Sequence, residues 1–153
     1  MATALAVAKT LNAHLGLPMQ AGYSAARFVA NEHGLIDPRG VRTKYDLDAM
    51  QTAEVVLCCC ASSLSHDLDA LLATVRVTGV AECLASLLDH PRALADSAFV
   101  IDGKGKAIRV HRADEDASGV VLGVEQFTGG SPKGPTFTID GYALAAALSE
   151  KSN

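Results

Sequence analysis

The sequence predicts an α+β fold. Apolar residues recur at helical spacing over residues 4–15 and 19–33, and further helical stretches follow as far as about residue 97. From Ala98 onward the chain changes to short runs of strand formers between Gly-, Pro- and acid-rich turns. The expected order is a helical head over residues 1–60, a helical linker or oligomerisation region over 61–97, and a small antiparallel β-rich unit with a final helix over 98–153.

Each element has its own signal. In residues 4–15, Ala4, Ala8, Leu11 and Leu15 form one apolar face. Gly16, Leu17 and Pro18 end it, with Gly placed as a C-cap and Pro at the next start. Residues 19–33 carry Ala21, Ala25, Phe28 and Val29 on one face and stop at Gly34. Two helices joined by so short a turn have the helix-turn-helix arrangement. Residues 35–45 hold Pro38 and Gly40 between strand formers, which suits a hairpin or wing. Asp46 is placed as the N-cap of a third helix ending near Cys60. Residues 66–75 and 80–89 read as two more helices around Gly79, and Pro91 opens a short helical turn. AFVID and KAIRVHR, either side of Gly103–Gly105, form a hairpin; GVVLGVEQF and TFTI are further strands; Asp114–Asp116 is an acidic loop, and Asp140 caps the last helix.

Hydrophobic residues make up 49% of the 153-residue chain and charged ones 20%, which supplies a core and excludes a disordered composition. No apolar run approaches the ~20 residues needed to span a bilayer, so no membrane is expected. Met1–Lys9 is too short, and too poor in basic residues, for a signal peptide. Cys58, Cys59 and Cys60 are adjacent, a poor disulfide framework, so a reducing cytoplasm is the expected location.

Charge is unevenly spread. Residues 1–45 carry five basic and two acidic side chains, a local +3, against −7 over the remainder. A basic head on an acidic body suits a nucleic-acid-binding module. Within the second helix, Gln20, Ser24, Arg27 and Asn31 fall at i, i+4, i+7 and i+11, a polar stripe opposite the apolar face, with Tyr23 flanking it. Arg suits guanine, Gln and Asn suit adenine, and Ser and Tyr suit phosphate oxygens. The wing adds Arg39, Arg42, Lys44 and Tyr45, cations and a phenol that can neutralise or touch phosphates beside the groove.

With the two-helix start, the segments Asn31-Glu32-His33-Gly34-Leu35-Ile36 and Arg42-Thr43-Lys44-Tyr45-Asp46-Leu47-Asp48-Ala49-Met50 resemble a known head. Residues about 4–57 are similar to the winged helix-turn-helix of MerR-type regulators, also found in excisionases and some phage small terminase subunits. The resemblance implies wing phosphate contacts from Arg42 and Tyr45, and recognition-helix contacts from Tyr23 and Arg27.

No catalytic, metal or cofactor pattern stands beside these features. On a helix, Cys58–Cys60 point about 100° apart and cannot share one metal, so buried thiols are expected. The five histidines are scattered, and Gly103-Lys104-Gly105-Lys106 has the wrong spacing for a phosphate loop. The expectation is a non-enzyme that binds double-stranded DNA as a homo-oligomer, a dimer before a ring, in phage or bacterial transcriptional control. A phage small terminase subunit that recognises DNA for packaging is one alternative, and a protein-interaction module without DNA binding is another.

Overall fold

A computed structural model describes residues 3–17, 19–35, 46–62, 64, 67–102, 107–126 and 135–149. Among these residues the fold is α+β, with seven helices and one four-stranded antiparallel sheet.

Helix α1 spans Ala4–Leu15. The hydroxyl of Thr3 caps it by accepting from Ala6 N at 3.3 Å. It buries Ala4, Val7, Ala8 and Leu11, and ends at Gly16, whose φ of 65° is the left-handed C-cap expected there. Helix α2 spans Met19–Glu32. Ala25, Ala26, Val29 and Ala30 are fully buried, and Phe28 half-buried. Its end is a Schellman motif: Leu35 N reaches Ala30 O at 2.8 Å and Gly34 N reaches Asn31 O at 3.1 Å, with Gly34 at φ 68°.

Helix α3 spans Ala49–Ser62. Its cap is Asp48, not Asp46. Asp48 Oδ1 accepts from Gln51 N at 2.8 Å and Gln51 Oε1 accepts from Asp48 N at 3.0 Å, a reciprocal box that Asp46 stands too far upstream to form. Every residue from Thr52 to Ser62 is buried. The reason is topological: α1 and α2 pack on this helix, and so do α4 (Leu68–Val77), α5 (Val80–Leu87) and β4 (Thr136–Asp140). The all-round apolar character of residues 55–61 therefore finds its partners within the same chain.

Asp67 caps α4 by accepting from Ala70 N at 3.2 Å. The helix starts and ends two residues later than the spacing suggested. A 72° bend separates α4 from α5, and α6 (Pro91–Ala95) begins on its proline. No single helix among the described residues is long and apolar enough to cross a membrane.

The sheet comprises β1 (Ala98–Asp102), β2 (Ala107–Glu115), β3 (Val121–Gln126) and β4, in the order β3-β2-β1-β4. Phe99 pairs with Val110 on one side and Ile139 on the other; all three are fully buried, as is Ile101. Asp114 and Glu115 belong to β2 rather than to a loop. Asp116 makes the turn alone, its Oδ1 accepting from Ser118 N, Ser118 Oγ and Val120 N. These hydrogen bonds to the charged form hold its carboxyl below the usual range, the Ser118 hydroxyl foremost. Helix α7 (Gly141–Ser149) follows Asp140, whose Oδ1 accepts from Tyr142 N at 3.2 Å. It packs on α6 and α1, so the last described helix lies against the first. One cluster of buried residues runs through the helices and through β1, β2 and β4, and β3 adds the half-buried Val121 against it.

Candidate nucleic-acid interface

The face opened to solvent by α2 follows from how that helix is held. Gly22 lies at the crossing with α1 and α3. A Cβ there would stand 3.1 Å from Asn12 Oδ1 of α1, and the Cys59 thiol of α3 donates to Gly22 O at 3.3 Å. A side chain here would be tight against α1, and the Asn12 amide would have to shift by a few tenths of an ångström to admit it. The Asn12 amide is buried in the contact, and neither of its polar atoms has a hydrogen-bond partner among the described residues.

With one face fixed in the core, the other must point outward. Gln20, Ser24, Arg27 and Asn31 are all exposed, and Tyr23 is half-buried beside them. The spacing-derived stripe is thus continuous on the surface over three turns of helix. Arg39, Arg42, Lys44 and Tyr45, the residues assigned to the wing, lie outside the described residues.

Spacing along α2 alone did not reveal a cleft between α1 and α2. Leu5, Ala6 and Lys9 line it from α1, Tyr23 and Arg27 from α2, around a volume of about 350 Å³. Leu5 and Lys9 are one turn apart on their helix, as are Tyr23 and Arg27 on theirs. Among the described residues the lining holds two cations, a phenol and no carboxylate.

Sequence reasoning also missed a buried polar cluster behind α2. Glu54, 1% exposed, is the one charged residue of α3. It accepts from Arg76 Nε of α4 at 2.6 Å and Nη2 at 3.3 Å. His33, at the end of α2, lies with Nε2 2.7 Å from Glu54 Oε1. A carboxylate can only accept, so His33 Nε2 carries the proton at this contact. Its 3.3 Å approach to Arg76 Nη2 is then a meeting of two donors and not a hydrogen bond. The hydrogen bond that Arg76 donates to Glu54 is the main cause of an Arg76 pKa above the ordinary value. A single carboxylate in an otherwise apolar helix was the available signal. It ties the ends of α2 and α4 to the central helix.

The thiols lie inside the fold and their pKa values are raised. Cys58, Cys59, Cys60 and Cys83 are unpaired with one another and buried. Burial pushes Cys58 up to about 12, with the Glu54 carboxylate adding to the rise and Arg76 opposing it. Cys59 and Cys60 are also raised, first by burial and then by the neighbouring thiols. Burial raises Cys83 too, against the neighbouring Arg112. Among the described residues no three His, Cys, Asp or Glu side chains gather as a metal site.

Comparison with protein-family models, with curated proteins and with solved structures finds no match. The functional reading therefore rests on the physical chemistry of the surface itself.

Proposed function

We propose that the chain binds double-stranded DNA through a winged helix-turn-helix, with α2 as the recognition helix, and acts as a phage or bacterial transcriptional regulator. One observation carries this reading. The side chains that can read bases, Gln20, Ser24, Arg27 and Asn31, all stand exposed on the helix whose opposite face is locked into the core. A rigid helix bearing Arg, Gln and Asn on its free face suits the major groove, which admits an α-helix and presents acceptors to those groups. The local +3 of residues 1–45 supplies the attraction to phosphate that an acidic chain as a whole would not.

The test is fluorescence anisotropy of the full chain with labelled duplex fragments over a salt series. Affinity should fall steeply with salt and differ between sequences. Binding that is absent at low salt would leave the protein-interaction reading of the same helix face.

A further inference from the structure

We propose that Lys9, Tyr23 and Arg27 form a seat for one backbone phosphate of duplex DNA, which fixes the register at which α2 reads bases. The inference rests on the DNA-binding reading above and changes the role of Arg27 within it. Spacing on α2 places Arg27 in the base-reading stripe. The structure places it also in the cleft with α1, beside a second cation that the stripe does not include.

The cleft suits a phosphodiester. Cations from two different helices face one volume of about 350 Å³, and among the described residues that line it none is acidic. Lys9 and Arg27 both line the cleft and are exposed, so their long side chains can cover apolar surface while their charges stay in water. Tyr23 lines the same cleft half-buried, and a phenol hydroxyl can donate to a phosphate oxygen. Leu5 and Ala6 supply an apolar floor with no competing acceptor side chain. Phosphate contacts set orientation on the duplex and carry no sequence information. With Arg27 engaged in this way, base reading falls to Gln20, Ser24 and Asn31. These lie on the same helix and would be positioned by the seat.

The experiment is anisotropy of the full chain on several duplex sequences between 50 and 200 mM salt, using wild type, Lys9→Gln, Lys9→Arg, Tyr23→Phe and Arg27→Ala. Lys9 is exposed, and circular dichroism with a thermal midpoint verifies that each variant folds. Lys9→Gln should lower the slope of log affinity against log salt by about 0.9, the value for one lost phosphate contact, and Lys9→Arg should restore it. Tyr23→Phe should weaken binding about three- to tenfold, as for one hydrogen bond. Arg27→Ala should weaken every duplex by a similar factor. An unchanged slope in Lys9→Gln, with salt-dependent binding by wild type, overturns the seat and leaves the DNA reading standing. Altered base preference in Arg27→Ala also overturns it, by returning Arg27 to the bases. Absence of duplex binding by wild type removes both.

Discussion

Arg76 of α4 donates its Nε–H to the buried Glu54 of α3 at 2.6 Å, and this pair, joined by His33, is where three helices meet around a charge. The Glu54 side chain is 2% exposed and that of Arg76 is 41%, so one ion is desolvated and the other is not. Removing the exposed partner strands the buried one. A fully buried pair broken this way costs about 3–5 kcal/mol. Solvent screening of the guanidinium reduces the expectation for Arg76→Leu to about 1–3 kcal/mol. Urea denaturation measures it. Glu54→Leu, which removes the buried charge itself, should cost less than Arg76→Leu. The opposite order would mean that the charge of Glu54 is not the source of the effect.

The buried thiols give the fold an alkaline limit. An acid whose pKa is raised by folding adds stability that is complete below its unfolded pKa and is lost as pH rises toward the folded one. Thiols in the unfolded chain titrate near 8.5. Cys58 in the fold titrates near 12, and Cys59, Cys60 and Cys83 are raised as well. Stability should therefore be flat with pH up to about 8 and then fall by about 1.4 kcal/mol per pH unit for each such thiol. Denaturation series from pH 7 to 10 should show this loss. In native protein at pH 7.5, thiol reagents should react only as fast as the chain opens.

Much of this architecture was legible because local rules and tertiary packing agree. Gly16 and Gly34 end their helices in left-handed caps, where only glycine is free of strain, and Pro91 opens α6 where proline loses no hydrogen bond. AFVID forms the expected strand, with Phe99 and Ile101 fully buried and the alternate positions half-buried. The misreadings occur where two residues offer the same local chemistry. Asp46 and Asp48 can each cap a helix, and only the partner Gln51 decides between them. The stripe on α2 could be read because its four members share one helix. The Lys9 contribution and the Glu54–Arg76 pair could not, because each depends on which helices become neighbours across 14 to 22 residues of chain.

Within the stripe, Asn31 lies near the end of α2, away from the cleft lining, and should act on bases alone. Asn31→Ala is expected to relax discrimination at one base pair by about 1–3 kcal/mol, the worth of a bidentate contact to adenine. It should leave the salt dependence as it is. Competition against a set of single-base duplex variants separates the two effects. A uniform loss across the set would exclude base reading by this residue.

Gly141 admits no side chain. A Cβ there would overlap the carbonyl oxygens of both Leu94 and Ser97, while its own N–H is bound to Ser97 O at 2.8 Å. Backbone on both sides cannot yield as a flexible side chain would. Ser97 is itself fixed, donating to Ala93 O at 2.8 Å and accepting from Ala113 N at 2.9 Å. Gly141→Ala should cost about 1–3 kcal/mol or more through forced backbone shifts. Because α7 packs on α1, the variant should also loosen α1, on which the proposed DNA-binding helix α2 packs. Hydrogen exchange should show lower protection in α7 and in α1 together. Loss confined to α7 would show that the two helices open independently.

The last prediction concerns stoichiometry. Helix-turn-helix modules usually read two half-sites as twofold dimers, and the role proposed for the 14-residue α2 carries the same expectation. The sheet offers a surface beyond the needs of a monomer. Among the described strands β3 has a neighbour on one side only; Val120 just before it and Leu122 and Val124 within it are 51%, 51% and 42% exposed. Edges of this kind are ordinarily short, charged or covered. The full chain is the right material for the measurement, because α3 is buried by α4, α5 and β4 and a fragment ending at residue 60 would uncover it. Light scattering coupled to size exclusion should give twice the 15.9 kDa chain mass at micromolar concentration, with one dimer bound per palindromic duplex. A closed ring of many copies would instead favour recognition of DNA for packaging. A monomer that still binds duplex with sequence preference would show that a single α2 suffices.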